Sequence, residues 1–427
     1  MTGQCSVKLP YGSGHLEVEL PERNLLTVIH PVDVPGTADE ALEVARALQE
    51  PIGSKSIRAL AGGCKEAVII ADDNTRVTPT QMIVPALLQE LEKAGVEDEQ
   101  VTVVMALGTH RPMTQAEFVR KLGKEVVERV QVENHDFKDA EKLVYLGTTP
   151  NGTPISVNRR VYEADWKIGV GNIVPHHISG WAGGAKIVQP GVCGEETTAS
   201  THLFSVRKRG SYLGAVENPV RQEMETIARR VRLNTVFNTV LNRRGRMIRA
   251  FYGDTAEAFR AGVKEAERVY CVKIPAKADI VLASSHPCDL DFWQAHKTLY
   301  SSNLAVKDGG TIIIVTPCPE GVSKMHPELL EIAHLTAERI EAKLKAGEIE
   351  DKLAAALAIA WSTVRRRANV LMVTEGIPAE QVQAIGFQHC ETTQEALELA
   401  FKKQGEDAKV TVLEGAETLP TPPEADT

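Results

Sequence analysis

"EAVIIADDNTRVTPTQMIVPALLQELEKAGVEDEQVTVVMALGTH" (residues 66–110) decides the fold. It opens on a short apolar run that ends in two acids, EAVIIADD (66–73). A helical stretch, PTQMIVPALLQELEKAG (79–95), follows and stops at Gly95. The β-branched run VTVVMALGTH (101–110) then reads as a buried strand. Strand, helix and strand in this order make a βαβ unit. The pattern continues on both sides. DEALEVARALQE (39–50) reads as an amphipathic helix, and residues 5–30 read as a hairpin around YGSG. TQAEFVRKLGKEVVERV (114–130) reads as a helix with a threonine cap. DWKIGVGNIVP (165–175) is a further strand that bends at its glycines. Alternation of this kind predicts a mainly parallel sheet covered by helices. Ligands of such sheets gather at the carboxyl ends of the strands. That rule makes neighbours of ADDNTRVTP, GTHRPMT and PHHISGWAGG, which follow three of the strands.

A second α/β unit starts after VKIPAK (272–277), which reads as a linker. ADIVLASS (278–285) is a strand, LDFWQAHKTLYSSNLAV (290–306) a helix and DGGTIIIVTPCPEG (308–321) a turn, a strand and its exit loop. Two or more helices lie between 327 and 368. NVLMVTEG (369–376) and KVTVLEG (409–415) are strands, with the helix TTQEALELAFKKQG (392–405) between them. The tail TLPTPPEADT reads as disordered by composition. The expected fold class is therefore α/β, with two α/β domains of mainly parallel sheets and an active-site cleft between them. Residues 1–271 make an N-terminal cofactor-binding domain, and residues 277–427 make a C-terminal Rossmann-like domain.

Composition narrows the function classes. The 427 residues are 43% hydrophobic and 25% charged, the balance of a soluble globular protein. A net charge of -9 argues against a nucleic-acid partner and against an anionic membrane, since either needs a basic surface. The N-terminus has no basic region followed by an apolar run, and no apolar run is long enough to cross a bilayer, so the cytoplasm is the expected location. Seven scattered cysteines without a C-x-x-C pair make neither a disulfide framework nor a structural zinc site.

The segment VPHHISGWAGGAKIVQPGVCG (174–194) concentrates the candidate chemistry. Adjacent His176 and His177 among glycines at a strand end tilt toward function over the ordinary core or surface histidine. Lys186 fails the P-loop pattern, because no Gly-Lys-Ser/Thr is present. It stands alone in uncharged sequence, the setting in which a lysine becomes a nucleophile or an attachment point rather than a surface charge. In DDNTR, acids at a helix N-terminus are the bland reading of Asp72 and Asp73. Arg76 can fork onto a carboxylate or phosphate. Gln294 and Lys297 share a helix face, and Phe292 and Trp293 beside them favour a cleft over a solvated face.

Together these pieces resemble the nickel-pincer lactate racemase family. The resemblance runs from DDNTR to the second domain. Its most specific part is the ordered set GTHR, PHHISGWAGGAK and THLFS, with ten residues from His176 to Lys186 and sixteen from Lys186 to His202. It implies a racemase or epimerase of small 2-hydroxy acids, with lactate or a short aliphatic homologue preferred. It also implies nickel and a nickel-pincer nucleotide, a pyridinium mononucleotide with thioamide and thiocarboxylate arms joined to Lys186. By resemblance His202 is the nickel ligand, and His110 and His176 are the acid/base pair. Arg76, Gln294 and Lys297 line the substrate site, with Trp293 and Tyr300 nearby, and Asp73 is the acid paired with the arginine. His177, Trp181, Gly183 and Gly184 lie along the cofactor segment. The implied partners are a small 2-hydroxy acid and the cofactor-synthesis proteins. A homo-oligomer is compatible with the sequence, which sets no oligomeric state.

The residue types suit that chemistry. The Cα–H beside a carboxylate is too weak an acid for a histidine poised near neutrality, so hydride transfer is the easier route. Arg76 and Lys297 would neutralise the substrate carboxylate; a second carboxylate, as in malate, would need another cation such as Arg111 or Lys324. Two other classes stay open at this point. One is a metal-dependent hydrolase or lyase with His110, His176 and His202 as direct ligands. The other is a non-enzymatic carrier of the cofactor or of an organic acid.

Overall fold

The computed structural model describes residues 3–209 and 211–423. Two six-stranded sheets organise the chain. In the first, the order is Met247–Gly253, Thr235–Leu241, Trp166–Asn172, Ala67–Asp72, Val101–Ala106 and Gln131–Asn134. All pairings are parallel except that of the edge strand Met247–Gly253. The central strands Ala67–Asp72 and Trp166–Asn172 are buried along their whole length. Helices cover both faces, which is why these strands read as unbroken apolar runs. Along Ala67–Asp72, Ile69 joins one core while Val68 and Ile70 join the core on the opposite face. Each such buried aliphatic side chain contributes about 1.5–3 kcal/mol relative to exposure.

The second sheet is parallel throughout, in the order Gln388–Cys390, Asn369–Val373, Val306–Val315, Ala278–Ser284, Val410–Leu413 and Leu25–Ile29. Its outermost strand comes from the start of the chain. The preceding hairpin, Gln4–Tyr11 with Gly14–Pro21, packs on this sheet through Val7, Leu9, Val18 and Leu20. Residues 4–29 therefore sit with the second unit, across the expected division at 271–277. The sequence pattern shows that 25–29 is an apolar segment. Its partner, almost 400 residues away, is a tertiary choice.

Four further expectations change. The helix expected over 114–130 is two helices, Gln115–Leu122 and Lys124–Arg129. They break at Gly123, whose φ of 87° only glycine adopts easily. Thr114 does cap the first, in a reciprocal capping box with Glu117. The helix expected over 290–306 splits at His296 into Phe292–Ala295 and Lys297–Ala305. The 272–277 linker begins inside a strand, Cys271–Lys273, which pairs with Leu419–Thr421 of the tail read as disordered. Residues 424–427 of that tail lie outside the described residues. The acids of DDNTR are not at a helix N-terminus, because the helix Thr80–Glu92 starts seven residues after Asp73. No helix among the described residues is long and apolar enough to cross a membrane, and all seven cysteines are free.

Candidate active site

The carboxyl ends of Ala67–Asp72, Val101–Ala106 and Trp166–Asn172 converge on one cavity, and the Phe292–Ala305 region of the second unit closes it. Asp73, Arg76, His110, His176, His177, Gly183, Lys186, His202, Trp293, Gln294 and Lys297 all line it. Eleven of the fourteen expected site residues are thus brought together from sequence positions more than 200 apart.

One chain of hydrogen bonds crosses between the two units. Asp73 Oδ2 accepts from His110 Nδ1 at 2.6 Å. Because the carboxylate can only accept, the His110 proton is on Nδ1 and its Nε2 carries the lone pair. Gln294 Nε2 donates to that atom at 2.9 Å. The other end of the same amide, Oε1, accepts from Lys297 Nζ at 2.5 Å and from Arg76 at 3.2 Å. Asp73 is buried, which raises its pKa, but His110 and Arg76 beside it, with hydrogen bonds from His110 and Thr75, outweigh this. Its carboxyl is held well below the usual range. The resemblance pairs Asp73 with Arg76, whereas here its direct partners are His110 and Thr75. Asp72 serves the fold, in a 2.9 Å ion pair with Lys121.

His176 is held differently. Its Nδ1 faces the backbone N–H groups of Ile178 and Ser179, at 3.3 and 3.5 Å. Nδ1 is therefore the acceptor and the neutral ring carries its proton on Nε2. Burial, with Lys186 and His177 close by, pushes its pKa well below the ordinary value. His177 stacks on Tyr300 at 4.1 Å between ring centres. Its Nδ1 is buried with no hydrogen-bond partner, as are both polar atoms of the Asn172 side chain, another cavity residue.

Lys186 sits on the short turn Gly184–Ile187, which presses against the first sheet. A Cβ on Gly169 would lie 2.3 Å from Ile187, so the strand must carry glycine there for the turn to seat. Gly183 enters the turn with φ 87°. The Lys186 amine has no hydrogen bond or ion pair among the described residues. Burial, with Arg76, Lys297 and Arg221 nearby, pushes its pKa well below the ordinary lysine range. The shift favours the neutral form, which is the nucleophilic state of an amine. His202 projects from the helix Glu195–Lys208, where its Nδ1 donates to the Thr198 carbonyl at 2.8 Å. This leaves the Nε2 lone pair available as a ligand atom. Burial, with Lys186 close by, brings its pKa down to about 4.

Three expected residues stand outside the cavity wall. Trp181 is fully buried and donates its indole N–H to the Gly214 carbonyl at 2.9 Å. Gly184 backs onto Phe259, against which a Cβ would come within 2.9 Å. Tyr300 lies behind His177 and His296. Conversely, His296 lines the cavity and the sequence reading passed over it. By helical spacing it lies off the face shared by Gln294 and Lys297, so the pattern gave no reason to select it. Asn172, Asn238 and Leu357 were also missed, as ordinary residues in a strand or helix.

The two cations suggested for a second substrate carboxylate are already neutralised. Arg111 is held by Glu117 and Glu320, each at 2.8 Å, and Lys324 lies 3.2 Å from Glu320. Among the described residues no three His, Cys, Asp or Glu side chains are grouped to hold a metal ion. His110, His176 and His202 do not form a three-ligand site, which weighs against the metal-hydrolase alternative.

Fold and site together define a two-unit α/β protein with a polar, histidine-rich cavity at its strand ends. Family models agree over most of the chain: the lactate racemase N-terminal domain matches residues 11–214, and the lactate racemase C-terminal domain matches residues 273–417. The chain belongs to the lactate racemase family. It is 31% identical over 323 residues to the lactate racemase of Thermoanaerobacterium thermosaccharolyticum, covering 74% of this chain and 75% of the relative. It is 27% identical over 421 residues to that of Lactiplantibacillus plantarum, covering 96% and 97%. The structure of the T. thermosaccharolyticum lactate racemase apoprotein superimposes with a TM-score of 0.87 at 27% identity, over 98% of this chain and 100% of the other. A Thermotoga maritima protein shares the fold, with a TM-score of 0.69 at 22% identity over 88% and 100%.

Proposed function

We propose that this protein is an isomerase that racemises small 2-hydroxy acids, lactate or a short aliphatic homologue, with a nickel-pincer nucleotide attached to Lys186. The observation that carries the reading is the Gln294 amide. It donates to His110 and accepts from Arg76 and Lys297. A 2-hydroxy acid offers the same pattern: a hydroxyl that donates, beside a carboxylate that accepts. The substrate would take over both sets of partners as Gln294 withdraws.

The residues fit the cofactor. Lys186 offers an amine shifted toward its neutral form for the covalent link, and His202 Nε2 a single imidazole ligand for nickel, a metal that imidazole suits. When bound, the cofactor supplies a reversible acceptor for the Cα hydride, which no side chain in the cavity can provide. Around it, Arg76 and Lys297 hold the carboxylate. His110 Nε2 takes the hydroxyl proton, while Asp73 steadies the imidazolium formed. His176 holds the oxygen of the opposite configuration through its Nε2–H, and the proton taken by His110 returns to that oxygen as the hydride comes back. The closed, buried cavity excludes water that would compete with these steps. The cofactor-synthesis proteins that load Lys186 are the implied protein partners, and the cytoplasm is the proposed location.

The test is a panel of enantiopure 2-hydroxy acids, incubated with cofactor-loaded protein and followed by chiral chromatography. Intact-mass analysis should show an adduct that Lys186→Ala abolishes along with activity. Full activity in Lys186→Ala would falsify the proposal.

A further inference from the structure

His296 sits at the break between Phe292–Ala295 and Lys297–Ala305, 3% exposed, and forms part of the cavity wall. Its Nδ1 receives the indole N–H of Trp361 at 3.0 Å. An indole nitrogen only donates, so Nδ1 must be the acceptor and the neutral ring carries its proton on Nε2. The Tyr300 hydroxyl, 3.2 Å away, adds a second contact at Nδ1. Nε2 has no hydrogen-bond partner among the described residues and, unlike Nδ1 of His177, is not fully buried. The indole thus dictates the tautomer of a histidine whose other nitrogen is left for the cavity. Lys297 is the next residue, and among the described residues its Nζ meets the Gln294 amide and, at 3.9 Å, the Cys288 sulfur.

We infer that His296 is a substrate-binding residue, whose Nε2–H donates to the carboxylate that Arg76 and Lys297 attract. This rests on the reading of those two cations as the carboxylate site. The carboxylate then meets three donors of different kinds: a guanidinium, an ammonium and a neutral imidazole whose orientation is set by Trp361. A neutral donor adds direction without a third positive charge beside Lys186.

The probe is 2-hydroxy-2-methylpropanoate, which has the carboxylate and hydroxyl but no Cα hydrogen, so it binds without reacting. Its Kd is measured by calorimetry on cofactor-loaded protein. His296→Asn places an amide oxygen near the Nδ1 position, keeping an acceptor for Trp361 while withdrawing the donor from the cavity. His296→Gln places an amide N–H near the Nε2 position. The expected result is binding weakened by about tenfold or more in His296→Asn and within about threefold of the parent in His296→Gln. Unchanged binding in a folded His296→Asn variant overturns the inference, and so does a parent protein that fails to bind the probe. If both variants lose stability, the Trp361→Phe variant decides: it frees Nδ1, so the second tautomer competes and binding should weaken; no change overturns the inference. Probe binding without racemisation of any hydroxy acid would defeat the proposed function and leave His296's role standing. Racemisation with His296→Asn binding normally would do the reverse.

Discussion

The cavity has two unlike sides. On one, His110 is oriented by a buried carboxylate, Asp73, at 2.6 Å. On the other, His176, His177, His202 and His296 are held by backbone groups, aromatic rings and an indole, with no carboxylate among the described residues hydrogen-bonded to any of them. A carboxylate stabilises a charged imidazole, whereas backbone and aromatic neighbours in a dry site keep it neutral. The same side chain therefore does two jobs across a few ångströms. One side can accumulate a proton during turnover; the other supplies lone pairs and N–H groups of fixed sense.

Removing the imidazoles themselves should have the largest effect. His110→Ala and His176→Ala are each expected to lower kcat by about 10²–10⁴-fold, read as initial racemisation rates on cofactor-loaded protein. A small loss in either would remove that residue from the acid/base pair. Asp73→Asn tests the asymmetry directly. It deprives His110 of its charged partner and should cost roughly 10²-fold in kcat with little change in KM. If the variant runs at the parent rate, the two sides are equivalent and the contrast collapses.

The rim offers a third, smaller test. Because Arg111 and Lys324 are both paired to Glu320, malate should show a kcat/KM lower than lactate by about tenfold or more, with Glu320→Gln narrowing the gap. Malate turned over as readily as lactate would mean that these pairs open for substrate. The mildest effect concerns stability. His135, buried against the Cys193 carbonyl, has its pKa pushed down to about 4 by burial. The unfolded chain binds its proton below about 6.5, the folded chain only below about 4, so stability is lost as pH falls across that window. His135→Gln should flatten the decline in Tm between pH 6.5 and 4. An unaltered slope would assign the acid sensitivity to other groups.

Much of this was legible in the sequence. Strand ends could be read because both faces of a parallel sheet are covered, which makes the strands short uninterrupted apolar runs bounded by polar turns. Most of the proposed site residues follow those runs, so Arg76, His110 and His176 were found together. Local pattern failed where a distant partner decided the outcome. Leu25–Ile29 and Leu419–Thr421 became strands because an open sheet edge and Cys271–Lys273 were there to pair with them. His296 was hidden for a related reason. Helical spacing sets it off the face of Gln294 and Lys297, and the cavity reaches it only because its walls curve around that end of the helix pair. Trp181 and Tyr300 stand behind the cavity wall: membership in a motif-bearing segment does not make a side chain line the cavity.

The strand Leu25–Ile29 has a mechanical consequence. The chain begins in the second unit, crosses to the first, and returns near residue 274, so two covalent connections join the units. The two connections run side by side, with the Val32 N–H donating to the Val269 carbonyl at 2.7 Å, so they form one short double-stranded joint rather than a single tether. It also means that no single cut separates the halves cleanly: a fragment beginning at residue 277 would lack the edge strand of its own sheet and expose Val410–Leu413 to whatever strand it meets.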